Sequence, residues 1–316
     1  MRLNSQNANN GLYNHKNPQL TAGGFVEVRA FSKINLFLNI TGKRDDGYHN
    51  IESVMQSLEF CDNIFITKGN LHNGTVKLTT SHPRLTTGAQ NLVVKAAKLL
   101  MREYGIMDAI NIKLDKRIPI GAGLGGGSSN CAATLHGINK LFNLGIPLSR
   151  LIELGTSLGA DVPFCLVSGT AIAQGIGEVL TSLPSPPNCT VLLAFPHIHI
   201  STTRIFNKLH YDMFNQGLSL NNFLAVYKTQ STSQIASNFA NTFTAITAGM
   251  YPQITSLISG MRNNGALGAS MTGTGSTVFG YFNNEHNAIV ARNILQQLHP
   301  STSFFITRPV REERTD

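Results

Sequence analysis

The sequence PIGAGLGGGSSN, at residues 119–130, decides the fold of this 316-residue chain. Apolar residues recur at steps of three and four from Cys131 onward, which predicts that a helix follows. Glycine-rich backbone ahead of a helix presents unpaired N–H groups to one point, and such a point binds phosphate. A tight turn explains one or two glycines but explains five poorly. The stretch therefore predicts a phosphate-binding loop, and the expected helix cap is Ser128 or Ser129.

Two better-known phosphate loops fit this stretch less well. The P-loop requires a lysine after its last glycine, and Ser128 stands there instead. The dinucleotide fingerprint G-x-G-x-x-G matches at Gly121, Gly123 and Gly126, which would indicate an oxidoreductase. However, the first acid beyond the loop is Glu153, so no carboxylate stands about 20 residues on to hold a ribose.

Composition limits the class of protein. The chain is long enough for two domains, and its formal charge of +8 favours acidic partners, although the basic residues are scattered rather than clustered. The cysteines form no C-x-x-C pair, which predicts a reduced, cytoplasmic protein without a zinc site. No apolar stretch has transmembrane length. Residues 1–24 are rich in Asn, and we expect a disordered leader there rather than a signal peptide.

Several other residues stand out. Lys33 lies within the apolar run FSKINLFLNI, so it either extends to the surface or faces an anionic partner. Asp161 either caps the helical turn that follows it or is held for proton chemistry. Tyr48 and His49 follow a predicted hairpin turn, where they either stack on a base or begin a strand. A second glycine cluster, at 268–275, suggests that one glycine turn supports the other.

Together, four segments resemble the GHMP kinase superfamily, which is named for galactokinase and for homoserine, mevalonate and phosphomevalonate kinases. They are AFSKINLFLNITGKRDDGYH (30–49), PIGAGLGGGSSN (119–130), LGADVPF (158–164) and SMTGTGSTVF (270–279). The resemblance implies an α+β, two-domain fold, with an N-terminal S5-like ATP-binding domain and a C-terminal ferredoxin-like α/β sandwich. We expect these domains at residues 25–185 and 186–316.

The resemblance also implies an activity and a set of site residues. The activity is ATP- and Mg²⁺-dependent phosphorylation of the C2 hydroxyl of a cytidine-diphosphate-linked methylerythritol, with Lys33 and Asp161 as the catalytic pair. ATP phosphates would lie on Pro119, Ile120, Gly121, Ala122, Gly123, Leu124, Gly125, Gly126, Gly127, Ser128 and Ser129. The substrate would contact Asn35, Tyr48, His49, Thr202, Phe206, Gly273, Thr274 and Gly275. No protein ligand is assigned to a metal.

Three alternatives remain at this point. They are a nicotinamide-dependent oxidoreductase, a basic nucleic-acid-binding module, and a GHMP kinase for another substrate such as homoserine. The favoured interpretation predicts a small-molecule substrate as the partner, with no nucleic acid and no membrane. We expect the protein to be a monomer or a weak homodimer.

Overall fold

The structure, a computed structural model, describes residues 18–21, 23–210, 214 and 217–311. The described residues form two sheets. The strands of the first sheet are β1 (Gln19–Leu20), β2 (Phe25–Lys43), β3 (His49–Lys68), β4 (Val76–Thr80), β5 (Ile110–Asp115), β6 (Thr170–Gly175), β7 (Val179–Leu183) and β9 (Ala240–Asn241). Those of the second sheet are β8 (Thr190–Phe195), β10 (Gly268–Met271), β11 (Val278–Phe282) and β12 (Ser303–Thr307).

Ten helices connect these strands within the described residues. They are α1 (Leu92–Tyr104), α2 (Gly126–Leu141), α3 (Leu148–Thr156), α4 (Val162–Val167), α5 (Thr202–Phe206), α6 (Leu220–Lys228), α7 (Thr232–Ser237), α8 (Phe243–Met250), α9 (Pro252–Asn263) and α10 (Glu285–Leu298). None of them is long and apolar enough to span a membrane. The mixture of sheets and helices agrees with the expected α+β class.

The first sheet is built around the long antiparallel pair β2 and β3. The two strands pair from Phe25 opposite Thr67 to Lys43 opposite His49, and the hairpin turn between them was expected from the sequence. The register shifts between Phe31 and Ser32 and again between Asn35 and Phe37. Bulges of this kind turn side chains toward active sites. Lys33 and Asn35 therefore lie on the short segment between two register shifts.

The second sheet is antiparallel, in the order β10-β11-β8-β12. Every residue of β8, TVLLAF, is buried. Val191 and Leu193 pack in a cluster that includes Ile34 of β2, whereas Leu192 packs in a cluster with residues of α9 and α10 such as Leu257. The strand is thus covered on both faces, which accounts for its unbroken apolar sequence. The second sheet lies between its own helices and the strand that carries Lys33.

Helix α2 places the glycine loop over the first sheet. Its first turn contains Ser128 and Ser129. Its N-cap is Gly125, which has a left-handed φ of +67°, so no side chain accepts a capping hydrogen bond there. The prediction of a serine cap was therefore wrong, because the glycine backbone turns into the helix before the serines. By contrast, a side chain caps α1, since Asn91 Oδ1 accepts a hydrogen bond from Val93 N at 2.9 Å.

Only part of the predicted leader, residues 1–24, lies within the described residues. Residues 1–17 and 22 of the predicted leader lie outside the described residues. Gln19 and Leu20 pair with Glu27 and Val26, so the end of that leader belongs to the first sheet. Strand β9, far along the chain, also pairs with β2. The domain limits 25–185 and 186–316 remain expectations. Strand β9 belongs to the second of these ranges but pairs within the first sheet.

The close approach of α2 to the sheet requires a glycine at position 137. A Cβ at Gly137 would lie 2.5 Å from Ile66 Cδ1, so Gly137→Ala overpacks the core, at a cost of about 1–3 kcal/mol. We expect urea denaturation to show that loss. The matched control is Gly249→Ala in α8, where no atom lies within 4 Å of the new methyl group, and there we expect a gain of about 0.5–1 kcal/mol. Equal effects at the two positions would contradict this account.

Candidate active site

Lys33 is the charged residue at the centre of the site. It is 4% exposed, and its Nζ donates a hydrogen bond to Asn35 Oδ1 at 3.0 Å. Its backbone N–H donates to Leu124 O of the glycine loop at 3.0 Å. A buried ammonium is costly unless it is paired. The structure therefore favours the second sequence-based interpretation, in which this lysine faces a partner inside a cleft.

That partner is Asp161. The carboxylate Oδ2 lies 3.4 Å from Lys33 Nζ, and the Asp161 side chain is 39% exposed. Asp161 occupies the N-cap position of α4, but its side chain makes no capping hydrogen bond. The capping explanation for this residue therefore fails. The carboxylate is turned toward the lysine and partly toward solvent, where it can meet a substrate.

The glycine loop is shaped by what lies against it. A Cβ at Gly125 would lie 2.7 Å from Cγ of Lys33, and one at Gly123 would lie 2.6 Å from Thr272 O. Both glycines have positive φ, of 67° and 79° respectively. Bare backbone at these two positions lets the loop touch both the lysine stem and the second glycine turn. The suggestion that one turn supports the other agrees with this contact.

The loop, the lysine and the carboxylate border one cavity of about 860 Å³. The cavity is also lined by seven residues predicted to bind the substrate: Asn35, Tyr48, His49, Thr202, Phe206, Gly273 and Thr274. The His49 ring lies 5.1 Å from the Phe206 ring, and Phe206 packs edge-on against Phe243 at 4.8 Å. Tyr48 is 59% exposed at the rim. The cavity thus has a charged end beside the loop and an aromatic end.

Some predicted residues lie outside this cavity. Gly275 does not line it, because a Cβ there would point at Met271 Sδ and Ile200. Within the loop, Gly123, Gly125 and Ser128 line the cavity. Ala122 and Leu124 are buried in an apolar cluster, and Ser129 is 3% exposed. The predicted residues Gly121, Gly126 and Gly127 do not line the cavity either. Pro119 and Ile120 instead line a second cavity.

The second cavity, of about 570 Å³, opens beside the start of the loop. It is bordered by six basic or imidazole side chains and by no acid: His82, Arg84, Lys116, Arg117, His197 and His199. Phe195 and Phe305 add apolar surface. The glycine loop therefore stands between a mixed cavity and a cationic one.

The residue that anchors the loop, Asp62, was not predicted from the sequence. Asp62 is fully buried, and its carboxylate accepts hydrogen bonds from Arg117 N at 2.6 Å, Ile118 N at 2.8 Å and Asn130 Nδ2 at 2.7 Å. It also forms an ion pair with Lys116 Nζ. Burial lowers the pKa of Lys116, and the Asp62 charge offsets part of that effect. One carboxylate thus ties β3 to the chain on both sides of the loop.

The environment of His49 in the cavity lowers the pKa of its imidazole. Burial lowers the pKa of His49, and the positive charge of Lys43, its partner across the β2–β3 pair, lowers it further. A histidine has an ordinary pKa of about 6.5. The His49 ring is therefore neutral at neutral pH, so it has one donor and one acceptor nitrogen.

Comparison with known proteins agrees with this geometry. Residues 91–169 match the GHMP kinases N terminal domain, and residues 228–300 match the GHMP kinases C terminal domain. The 4-diphosphocytidyl-2-C-methyl-D-erythritol kinase of Caldicellulosiruptor saccharolyticus is 39% identical over 269 residues, which cover 85% of this chain and 92% of that protein. The kinase of the same name from Lachnospira eligens is 36% identical over 282 residues, with coverages of 89% and 97%.

Solved structures give the same grouping. A crystal structure of 4-(cytidine 5'-diphospho)-2C-methyl-D-erythritol kinase superposes with a TM-score of 0.75 at 28% identity, covering 90% of this chain and 98% of that one. The mevalonate kinase of Methanococcus jannaschii superposes with a TM-score of 0.72 at 14% identity, which shows the shared fold alone. It covers 92% of this chain and all of that one.

The fold and the site define a GHMP kinase, a small-molecule kinase that uses ATP. Within that superfamily, the chain belongs to the 4-diphosphocytidyl-2-C-methyl-D-erythritol kinase family. The resemblance inferred from the four sequence segments is thus confirmed, whereas the roles of individual residues remain to be proposed.

The Asp62–Lys116 pair allows a direct test of the loop anchor. Asp62→Asn leaves the Lys116 ammonium buried without a counter-charge, and breaking a buried pair on one side costs about 3–5 kcal/mol. We expect urea denaturation to show a loss of that order. The double variant Asp62→Asn/Lys116→Met removes the orphaned charge and should recover most of the loss. A single variant as stable as the parent would show that the pair does not anchor the loop.

The His49 shift can be measured by NMR titration of the imidazole. We expect a pKa below 6.5, and Lys43→Gln should raise it part of the way, because burial remains. Folding disfavours the protonated ring, so the contribution of His49 to the free energy of unfolding is present above pH 6.5 and is lost as the pH falls below it. Lys140→Gln, at the far end of α2, is the control. A His49 pKa that does not move in Lys43→Gln would contradict the charge effect.

Proposed function

We propose that this protein transfers the γ-phosphoryl group of ATP to the C2 hydroxyl of 4-diphosphocytidyl-2-C-methyl-D-erythritol, a step in isoprenoid precursor biosynthesis. The observation that carries the proposal is the Lys33–Asp161 pair beside the glycine loop, in a cavity whose other end is aromatic. The curated relatives of the same name support the substrate. Each end of the cavity then has one task.

At the charged end, Asp161 acts as the base. Its carboxylate accepts the proton of the C2 hydroxyl while the oxygen of that hydroxyl bonds to the γ-phosphorus and the bond to ADP breaks. Lys33 Nζ has three protons, of which one goes to Asn35 and one points at Asp161. The third is available to an oxygen of the transferred group. Lys33 thereby orients the carboxylate and stabilises negative charge at the reacting phosphate.

The loop holds the phosphates of ATP. Gly123, Gly125 and Ser128 present backbone and hydroxyl groups to the cavity at the beginning of α2, where the helix dipole favours anions. The adenosine half then extends toward the cationic cavity beside Ile120, which suits a nucleotide because it offers both apolar and basic surface.

The site fits Mg²⁺ held mainly by nucleotide phosphates. The described residues contain no cluster of three or more His, Cys, Asp or Glu side chains able to cage a metal. Mg²⁺ characteristically binds through one or two protein oxygens together with phosphates and waters. Ser128 and Asp161, which both line the cavity, are the residues that would complete such a shell. The ion would neutralise charge on the transferred phosphate.

The aromatic end binds the cytosine. The rings of His49 and Phe206 are tilted by 49° with centroids 5.1 Å apart, and the exposed Tyr48 ring stands beside them at the rim. A pyrimidine stacks on such rings, and a neutral His49 can donate to or accept from its edge. Thr202, whose Oγ1 lies 3.3 Å from Thr274 Oγ1, borders the middle of the cavity, where the diphosphate passes.

An ATP-consumption assay separates this proposal from a kinase for another alcohol. The cytidine-linked methylerythritol, its cytidine-free analogue and homoserine are offered at equal concentrations. We expect turnover only with the first, because the aromatic end contributes binding that the other two cannot use. Turnover of homoserine would overturn the substrate assignment but not the kinase assignment. A thermal shift with NADPH but none with ATP would overturn both.

Replacing the base tests the mechanism. Asp161→Asn keeps the side chain's size but cannot accept the proton, so we expect kcat to fall by about 10²–10⁴-fold while ATP affinity changes little. Lys33→Met should also lower kcat, since it removes charge stabilisation in the transition state. ATP affinity is measured by calorimetry, and kcat by coupled ADP release. Near-normal turnover in Asp161→Asn would rule out this base, and a Lys33→Met effect confined to KM would mean that Lys33 only binds.

A further inference from the structure

The Lys33 ammonium is not held by Asp161 alone. The atom nearest to it among its polar partners is Asn35 Oδ1, at 3.0 Å, compared with 3.4 Å to Asp161 Oδ2. Asn35 is 3% exposed, so water does not compete for its amide. Whatever fixes the Asn35 side chain therefore fixes the lysine.

Three donors converge on Asn35 Oδ1. Besides Lys33 Nζ, they are Thr272 Oγ1 at 3.2 Å and Gly273 N at 3.1 Å. On the other side of the amide, Asn35 Nδ2 donates to Ser53 Oγ at 2.9 Å, and Ser53 Oγ donates its own hydrogen bond to Phe37 O at 2.7 Å. A flipped amide would direct its NH₂ group at three donors and its oxygen away from them. The network thus permits one orientation of Asn35.

Thr272 joins this network to both sheets and to the phosphate loop. Its hydroxyl accepts a hydrogen bond from Asn35 N at 3.1 Å, and it lies 3.4 Å from Gly123 O. The side chain is fully buried. Thr272 follows β10 of the second sheet, whereas Asn35 belongs to β2 of the first. A single hydroxyl therefore contacts the strand that carries the lysine and the loop that holds ATP.

We propose that Thr272 is a positioning residue, whose hydroxyl fixes the Asn35 amide and through it aims the Lys33 ammonium at the reacting phosphate and Asp161. The inference rests on the proposed function of Lys33. It assigns a catalytic consequence to a buried threonine that touches neither substrate nor nucleotide. Loss of the hydroxyl leaves Asn35 N without an acceptor and Asn35 Oδ1 with one restraint fewer, so the ammonium gains freedom to move away from its partner.

The test is a double-variant cycle between Thr272 and Lys33. Thr272→Val keeps the shape of the side chain and removes the hydroxyl, and we expect kcat to fall by about 10- to 100-fold, as for other losses of alignment. The KM for ATP should change by less than about threefold, because the loop backbone remains. Thr272→Ser retains the hydroxyl and should restore most of kcat. In the Lys33→Met background, Thr272→Val should lower the residual single-turnover rate by less than about threefold.

The matched control is Thr277→Val. Thr277 is equally buried and stands five residues away, and its hydroxyl has no hydrogen-bond partner among the described residues. We expect its kcat to stay within about threefold of the parent. An equal loss in Thr277→Val would mean that any change in this turn lowers the rate, and the proposal would fail. The proposal would fail also if Thr272→Val lowered the rate by the same factor in the parent and in the Lys33→Met background.

A second variant covers the case in which Thr272→Val does not fold. Ser53→Ala removes the acceptor of Asn35 Nδ2 from the opposite side, leaving Thr272 in place. It should lower kcat in the parent and have little effect in the Lys33→Met background. Independent, multiplying effects would overturn the proposal. If Lys33→Met itself kept normal kcat, the function proposed for Lys33 would fall and this inference with it, a result distinct from every outcome that concerns Thr272 alone.

Discussion

The other features of the site depend on one constraint: the buried Lys33 ammonium must lie close to the Asp161 carboxylate. Lys33 is almost fully buried, and an unpaired charge in such a place would cost several kcal/mol. The chain offsets that cost with the Asp161 carboxylate and the Asn35 amide oxygen. Both partners are acceptors, and together they engage two of the three ammonium protons. These contacts hold the charge that the proposed mechanism assigns to phosphoryl transfer.

The same constraint explains why both turns contain glycine at their points of contact. Lys33 lies on a strand, and the loop that would hold ATP must pass directly over the lysine stem, which leaves no room for a Cβ at Gly125. The second turn must then pass over the first, which leaves no room at Gly123. This contact explains why the segments at 119–130 and 270–279 lie together although they are far apart along the chain.

Much of this was available from the sequence, since glycine clusters, an isolated lysine and an isolated aspartate stand out against apolar surroundings. The sequence also predicted the hairpin turn between β2 and β3. It failed where backbone geometry decided the outcome. Gly125 replaced a serine as the cap of α2, and the register shifts beside Lys33 have no signature in the residue types.

The residues that were not predicted from the sequence escaped notice for one physical reason. Asp62, Thr272 and Phe243 act by contacts across elements that are distant along the chain, and each is an ordinary residue within its own segment. Asp62 follows Cys61 in a strand, and an acid at such a position usually points to solvent. Only the fold shows that it accepts two backbone N–H groups from the beginning of the phosphate loop.

Within the described residues, two ion pairs join a buried lysine to an aspartate, and they differ in how fully the carboxylate is satisfied. In the Lys116–Asp62 pair, both side chains are buried, and the carboxylate is saturated by three further donors. No lone pair is left for a reacting group. In the Lys33–Asp161 pair, the carboxylate is 39% exposed, makes no capping bond, and opens on a cavity. A base needs an acceptor that is held yet incompletely satisfied, and of these two carboxylates Asp161 alone meets that condition.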